Sequence, residues 1–283
     1  MTRERLVEAP QDFEGLRQAI LERRSELPKR LMQVAAYSLD HPDEIAFGTV
    51  ASIASSAHVQ PSTLVRFAQH LGFEGFSGLQ LIFRARLRER NSSYEDRLKS
   101  IEADTTEVSE NVAILNGFLA AAGRSIETLA KSADPDTFEK SVEILAKAET
   151  IYLIAKRRAA PISTYMAYAF GKLRVRNVLV GTAAGIDDDL VAMAGPKDAA
   201  IAISFSPYAQ ETMGQARALA ARKIPLVAMT DSAFSPLAES ATEWFEIVEA
   251  DHAGFRSLSA GMALAMALTV AVAERRRRHK DER

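Results

Sequence analysis

The second half of the chain alternates short apolar runs with helical segments, and this alternation limits the possible folds more than any other feature. The runs are largely apolar at successive positions, so both faces of each predicted strand must be covered. Helical patterns lie near residues 160–173, 187–194, 209–222, 236–242 and 256–275. The sequence therefore predicts a doubly wound α/β domain with a five-stranded parallel sheet. The predicted strands are Ile151–Ala155, Val175–Val180, Ala199–Ser204, Pro225–Thr230 and Trp244–Val248.

The first 90 residues have a different pattern, because every periodic segment there has the spacing of a helix. A polar stretch near 91–105 predicts a linker, and a long helix or a helix pair follows over Val108–Ser132. We therefore expect an all-α domain over residues 1–90, a linker with connecting helices over 91–134, and the α/β domain over 135–283. The predicted N-terminal helices are Gln11–Glu26, Leu27–Ser38, Val50–Ala57, Pro61–Leu71 and Phe76–Arg90.

The composition excludes several classes of protein. The 283 residues include no cysteine, which excludes disulfide scaffolds and cysteine-ligated metals and fits a reducing compartment. A formal net charge of −2 does not suit a protein that coats nucleic acid, but it allows a local basic patch. The first ten residues lack the apolar core of a secretory signal, so a cytoplasmic protein is expected. The uncharged stretch Leu258–Ala273 is shorter than the ~18 residues of a membrane span, which favours a core or oligomer helix.

Two of the predicted N-terminal helices have one apolar face each and are separated by a short turn. The outer face of the second helix has no carboxylate, and its side chains are those that a helix needs in the DNA major groove. They are Ser62, Thr63, Arg66, Gln69 and His70. The alternative is a helical hairpin with a solvated polar face. Residues 61–90 favour DNA binding, because they contain five arginines and two acidic residues.

Polar and cationic side chains follow three of the predicted strands, at the edge where doubly wound sheets bind ligands. The first strand runs directly into Lys156, Arg157 and Arg158, and Thr230 begins a serine-rich turn after the fourth. A hydroxyl-rich turn after the third strand opens a helix, whose N-terminus suits a phosphate group. The alternatives are a solvated charge run and serines that only cap helices. The candidate effector-binding residues are Arg157, Arg158, Ser204, Ser206, Tyr208 and Thr212.

The segment from Leu27 to Gln80, which ends in STLVRFAQHLGFEGFSGLQ, resembles the N-terminal helix-turn-helix domain of the RpiR (MurR/RpiR) family of bacterial transcriptional regulators. The resemblance implies that the helix from Pro61 is the recognition helix, and it adds Gln60 to the candidate DNA-binding residues. Two positions depart from the family pattern. His58 stands where the turn commonly has glycine, which a histidine tolerates in the left-handed conformation. Gln60 stands where a serine cap is common, so a weaker cap is expected.

The segments IAISFSPYAQET, VAMTDSAFSPLA and FRSLSAGMALA resemble the SIS (sugar isomerase) domain that follows this helix-turn-helix in RpiR regulators. The GxGxS-like turn of SIS domains falls on Ala155–Ala159, which keeps neither the glycines nor the phosphate-binding serine. The resemblance implies a regulator of carbohydrate metabolism that binds double-stranded operator DNA. It also implies an effector, a sugar phosphate or a related metabolite, and a homodimer or homotetramer.

A sugar-phosphate isomerase or another SIS-domain enzyme is the alternative function. Aldose–ketose isomerisation needs an acid and a base beside the sugar, and the histidines of this half are His252 and His279. We expect His252 in an exposed loop, and we expect no catalytic residue, metal or cofactor.

Overall fold

The structure is a computed structural model that describes residues 9–23, 27–91, 109–181 and 185–281. The chain divides into two compact units, Met1–Ala103 and Asp104–Arg283. Most of the predicted linker lies between 92 and 108, outside the described residues. The two units have the predicted fold classes, helical in the first and α/β in the second.

The N-terminal unit is built from helices around one apolar core. Its core includes Ile20, Leu64, Phe67, Leu79 and Phe83, which are fully buried. The helices are α1 (Phe13–Glu22), α2 (Lys29–Asp40), α3 (Pro42–Phe47), α4 (Val50–Ser56), α5 (Pro61–His70) and α6 (Phe76–Asn91).

Helix α3 was missed by the sequence prediction, because its six residues are too short to show a helical period. The amide nitrogen of Gln80 in α6 donates to the carbonyl oxygens of Ile45 and Gly48, each at 2.9 Å. These bonds satisfy orphan carbonyls at the end of α3. Gly48 is required at this point, since a Cβ there would lie 2.6 Å from the carbonyl oxygen of Glu44.

The C-terminal unit contains one parallel sheet with the strand order β2-β1-β3-β4-β5. Its strands are β1 (Ile151–Ala155), β2 (Asn177–Val180), β3 (Ala199–Ile203), β4 (Leu226–Thr230) and β5 (Glu243–Glu246). The predicted five-stranded doubly wound sheet is confirmed, with strand ends within about two residues of the apolar runs. The helices are α7 (Glu110–Ser132), α8 (Pro135–Lys147), α9 (Ala160–Lys172), α10 (Asp187–Ala192), α11 (Gln210–Ala221), α12 (Pro236–Ser240) and α13 (Ser259–Asp281).

Each face of the sheet has its own apolar core, because successive side chains of a strand point to opposite faces. Leu153 and Ile201 belong to the core covered by α8, α9 and α13. Their neighbours Ile154 and Ala200 belong to the core covered by α10, α11 and α12. All five residues of β1, β3 and β4 are therefore buried, which explains why these strands appear in the sequence as continuous apolar runs.

Helix α13 is longer than predicted. It extends to Asp281, beyond the helical pattern near 256–275, and its last turns include arginines that bind α8. Arg275 donates to Glu143 at 2.7 Å, and Arg276 donates to carbonyl oxygens at the end of α8. Among the described helices, none combines the length and the apolar run that a membrane crossing needs.

A two-stranded antiparallel hairpin precedes α13, formed by β6 (Asp251–His252) and β7 (Phe255–Arg256). A strand of two residues is too short to show the alternation of apolar and polar residues that identifies a strand. The sequence therefore predicts an exposed loop at this hairpin. The turn between them, Ala253 and Gly254, has φ values of +50° and +80°, as a tight hairpin turn requires.

The hairpin packs against α7, so the prediction that His252 is exposed is wrong. The His252 ring lies edge-on to Phe118, with 5.1 Å between ring centroids. It also lies directly over Gly117, where any Cβ would overlap the imidazole. Ser125 of α7 accepts a hydrogen bond of 2.9 Å from the backbone nitrogen of Ala250. Helix α7, which the sequence analysis grouped with the linker, packs within the C-terminal unit.

The buried sheet predicts the effect of Ile201→Ala on stability. Ile201 in β3 is 0% exposed, so its truncation should cost about 2–5 kcal/mol in the free energy of unfolding. Chemical denaturation of the full chain would measure this, with Ile186→Ala as the matched control. Ile186 is 45% exposed, and its truncation should change stability by less than about 0.5 kcal/mol. Equal effects of the two substitutions would contradict the assignment of β3 to the core.

Candidate functional site

The turn between α4 and α5 has the hydrogen bonds of a Schellman motif. The backbone nitrogen of Val59 donates to Ala54 at 2.9 Å, and that of His58 donates to Ser55 at 3.1 Å. His58 has a φ of +52°, so its predicted left-handed conformation is confirmed. Gln60 precedes α5 and makes no side-chain cap, which confirms the weaker cap expected there. These backbone bonds, and the Gln33 side chain that donates to the carbonyl oxygen of Ala57 at 2.9 Å, thus hold the turn between the two helices.

Helix α5 separates its residues into a buried and an exposed face. Leu64, Phe67 and Ala68 are fully buried against the core of the unit. Thr63 is half-buried. The remaining candidate DNA-binding residues are exposed, and they are Gln60, Ser62, Arg66, Gln69 and His70. We call these six positions the recognition face of α5. It is open to solvent and has no acidic side chain, the arrangement that a major-groove contact requires.

The arginines of α6 contribute less to a basic patch than their number suggests. The Nε of Arg84 donates to the carbonyl oxygen of Ala46 at 2.7 Å. The guanidinium of Arg86 lies 3.5 Å from the centroid of the Phe13 ring, a cation–π contact. Both side chains therefore stabilise the N-terminal unit itself. The side chains of Arg88 and Arg90, predicted to join the same patch, lie outside the described part of the chain.

In the C-terminal unit, the strand order places the topological switch point between β1 and β3. Ligands of such sheets bind in the loops that leave the carboxyl ends of these two strands. The loops are residues 156–159 after β1 and 204–209 after β3, so Arg157, Arg158, Ser204, Ser206 and Tyr208 all lie there. Thr212 lies in the first turn of α11, directly after the second loop.

The three cations that follow β1 have three different environments. The Nζ of Lys156 forms an ion pair with the carboxylate of Asp187, whose other oxygen accepts from the backbone nitrogen of Gly181 at 2.9 Å. Arg157 is exposed and has a φ of +54°, at the position where the family turn has its second glycine. Arg158 is half-buried within the C-terminal unit. Of the three, Arg158 is the cation that contacts the loop after β3 in the described part of the chain.

The carboxyl edge is our name for the side of the sheet where the strands end and these loops begin. Arg158 contacts two segments of this edge. Its guanidinium lies 5.1 Å from the centroid of the Phe205 ring, and its Nη1 lies 3.4 Å from the carbonyl oxygen of Ser257. Burial, and next the positive charge of Arg256, lower the pKa of the Arg158 guanidinium from its usual value. Arginine keeps its proton in proteins despite such a shift, so a full positive charge remains in this half-buried place.

The loop after β3 uses several of its polar groups internally. Ser204 is 3% exposed, and its Oγ accepts from the backbone nitrogen of Ala209 at 3.2 Å. The backbone nitrogen of Ser206 donates to the carboxylate of Asp231 at 3.0 Å. The hydroxyl of Thr212 is buried and has no hydrogen-bond partner among the described residues. Tyr208 packs against the core under α10, α11 and α12.

The serine-rich turn after β4 has a capping role. The Oγ of Ser235 accepts from the backbone nitrogen of Leu237 at 3.2 Å and so caps α12. It also accepts from the hydroxyl of Thr230 at 2.8 Å. Asp231 in the same turn reaches the loop after β3, which sequence analysis did not foresee because 25 residues separate it from Ser206.

Arg256 is a second residue that the sequence analysis missed. It lies on β7, and its Nη1 donates to the carbonyl oxygen of Ser206 at 2.8 Å. Its segment, FRSLSAGMALA, was identified by its resemblance to an SIS domain, but no single residue in it indicated a contact with the loop after β3. The hairpin of β6 and β7 is what carries Arg256 to this edge.

A cleft of about 640 Å³ opens on the other side of Lys156, between α10 and α11. Its walls include Asp188, Glu211, Gln215 and Arg222. The six candidate effector-binding residues are not among the described residues that line it. The cleft and the arginine-containing edge are therefore separate parts of the C-terminal unit.

Known families match both units. The family described as "Helix-turn-helix domain, rpiR family" matches residues 14–90, and the SIS domain family matches residues 144–273. An uncharacterised HTH-type transcriptional regulator of Haemophilus influenzae is 25% identical over 76% of this chain and 73% of that protein.

Two solved structures share the fold. The sugar isomerase domain of an RpiR transcription factor from Sphaerobacter thermophilus covers 56% of this chain and 89% of that chain, with 19% identity and a TM-score of 0.54. The Vibrio vulnificus NanR protein, complexed with ManNAc-6P, covers 93% of this chain and 94% of that chain, with 22% identity and a TM-score of 0.56.

A helix-turn-helix domain followed by an SIS domain defines a class of DNA-binding transcriptional regulators, and this chain has both domains in that order. Its N-terminal domain is a helix-turn-helix domain of the rpiR family, and its second domain belongs to the SIS family.

The recognition face predicts the effect of Arg66→Ala on DNA binding. Arg66 is exposed on this face, so its loss should weaken binding by about 1–3 kcal/mol, or roughly 5- to 150-fold. Fluorescence anisotropy at fixed salt would measure the affinity, with a duplex selected from a random library by the wild-type protein. Arg30→Ala on α2 is the matched control, because Arg30 is exposed and bonds only locally to Gln33 at 3.0 Å in the described structure. Unchanged affinity of the Arg66 variant would refute the assignment of α5.

Proposed function

We propose that this protein regulates carbohydrate metabolism by binding operator DNA, and that a sugar phosphate or related metabolite bound to its SIS domain alters that binding. The observation that carries the proposal is the recognition face of α5, which is exposed and has no acidic side chain. The same chain has a cation, Arg158, at the switch point of an SIS sheet. The NanR complex with ManNAc-6P supports an effector of this chemical class, since NanR shares the two-part architecture.

A homodimer or homotetramer would place two or more recognition helices on a two-fold symmetric operator. In such operators the half-sites lie about one helical turn of DNA apart, roughly 34 Å, or a multiple of it. Exposed apolar side chains support self-association through α9 and α13. They are Tyr168 (63% exposed), Met266 (47%) and Val270 (59%).

The SIS domain in this proposal binds a sugar derivative without converting it. An isomerase needs a proton-transferring group beside the sugar. The Nε2 of His252 is buried against α7, and His279 lines a separate cleft near the end of α13. Carboxylates near Arg158 could also transfer a proton, so a measurement of turnover decides between the two functions. Incubation with hexose 6-phosphates, followed by proton NMR, should show no aldose–ketose exchange, and measurable turnover would favour the enzyme instead.

Helix α7 gives the effector domain a route to the DNA-binding domain. Along the chain, α7 is the first described element after the N-terminal unit. The hairpin that carries Arg256 packs on α7 through Phe118, which contacts both His252 and Phe255. A ligand that displaces Arg256 would therefore move a hairpin that α7 holds. An effector changes operator affinity only if it binds one conformation of the protein more tightly than another, and a movable hairpin would provide two such conformations.

This route predicts that Phe118→Ala uncouples the two domains. The variant should bind DNA within about twofold of wild type without effector, because Phe118 and α5 belong to different compact units. The change in DNA affinity on adding a stabilising sugar phosphate should fall at least several-fold, since the hairpin loses its aromatic contact. A thermal-shift screen of sugar phosphates would supply the effector, and anisotropy with and without it would measure the response. Leu119→Ala is the control, because Leu119 is 61% exposed on the same helix. A full response in the Phe118 variant would contradict the route.

A further inference from the structure

Two arginines converge on one short loop at the carboxyl edge. Arg158, which follows β1, lies over the ring of Phe205 at 5.1 Å. Arg256, on β7, donates to the carbonyl oxygen of the next residue, Ser206, at 2.8 Å. Arg158 also approaches the carbonyl oxygen of Ser257, which adjoins Arg256 in the chain. The two guanidinium groups thus contact the same two-residue segment of the loop after β3.

The two arginines keep N–H donors that an oxyanion could use. Two guanidinium groups that remain protonated repel each other, and an oxyanion between them removes that repulsion. In the described part of the chain, each guanidinium makes one hydrogen bond, to a backbone oxygen, although a guanidinium has five N–H donors. The half-buried position of both side chains keeps them partly accessible while limiting screening by water.

Three carboxylates face Arg158, and each is held by a backbone nitrogen. Asp231 accepts from Ser206 at 3.0 Å, Glu249 accepts from Gly261 at 2.8 Å, and Asp251 accepts from Gly254 at 2.6 Å. The Nε of Arg256 lies 3.8 Å from the Oδ2 of Asp251, which is beyond hydrogen-bond distance. The carboxylates therefore balance the arginine charges over a distance and leave N–H donors for a ligand.

Two backbone nitrogens of the loop before α11, the other place where an anion could bind, already donate to groups of the protein. The Ser206 nitrogen donates to Asp231, and the Ala209 nitrogen donates to Ser204. A phosphate there would have to displace a carboxylate and would meet its negative charge. The turn after β1 offers no hydroxyl either, because Ala159 stands in the place of the family serine.

We propose that Arg158 and Arg256 form an oxyanion-binding pair that holds the anionic group of the effector, in place of the Ser206 and Ala209 amides of the loop after β3. This inference rests on the proposed function, because it names the residues and the ligand group of the same effector site. The ligand is a sugar derivative that carries a phosphate or a carboxylate. The planar guanidinium fork binds either group through two parallel hydrogen bonds.

The test compares the affinities of full-length variants for sugar derivatives by isothermal titration calorimetry. The probes are hexose 6-phosphates, including ManNAc-6P, and the corresponding uronic acids and neutral hexoses. Arg158→Gln and Arg256→Gln should each weaken binding of the anionic probe at least tenfold. Arg157→Gln is the matched control, since this exposed arginine adjoins Arg158, and its affinity should stay within about twofold of wild type. A phosphate ligand and a carboxylate ligand are distinguished by which probe series binds.

Arg158→Lys and Arg256→Lys are controls that separate the loss of the guanidinium from a loss of structure in the glutamine variants. They keep the charge and remove the fork, so they should bind the probe more weakly than wild type and more tightly than the glutamine variants. DNA binding without effector should match wild type in every variant. If wild type binds an anionic probe and the glutamine variants at 158 and 256 bind it equally well, the arginine pair is refuted and the proposed function stands. If wild type binds none of the anionic probes, both are refuted.

Discussion

The parallel pairing of β1 with β3 is the interaction on which the carboxyl edge depends. It runs in register from Ile151 and Ala199 to Ala155 and Ile203, with both faces of both strands buried. Because β2 lies on the other side of β1, the two loops that leave β1 and β3 turn away from each other and open a crevice. The apolar burial that fixes the strands thus also fixes the place where polar loops can meet a ligand.

The charged residues of this edge are arranged so that most of them hold the protein together. Lys156 is neutralised by Asp187, and Asp231 holds the loop after β3 through the Ser206 nitrogen. The arginines near the end of α13 likewise bind α8 and nearby glutamates. Against this background, Arg158 and Arg256 are distinctive, because they are half-buried, lie close together and contact the protein mainly through backbone oxygens and an aromatic ring.

Much of the fold could be predicted from the sequence, because burial on both faces leaves continuous apolar runs such as Ile151–Ala155. The recognition face of α5 was also predictable, since helical spacing separates Phe67 from Arg66. The site was less predictable. Which cation after β1 turns inward depends on the 3₁₀ turn of residues 157–159 and on the positive φ of Arg157, which no pattern shows. The contacts of Asp231 and Arg256 join segments far apart in the chain, and the hairpin that delivers Arg256 is too short to have a period.

The bond between Asp231 and the Ser206 nitrogen has a consequence for selectivity. A carboxylate tethered in the protein competes for this amide at a high effective concentration, which a free ion in solution cannot match. Inorganic phosphate, which would bind through its charge alone, is therefore disfavoured at the Ser206 amide. An anionic effector held by the proposed pair of Arg158 and Arg256 would avoid this competition, because it does not need that amide. The tethered carboxylate thus occupies one anion-binding group of the edge and leaves the choice of ligand to the two arginines.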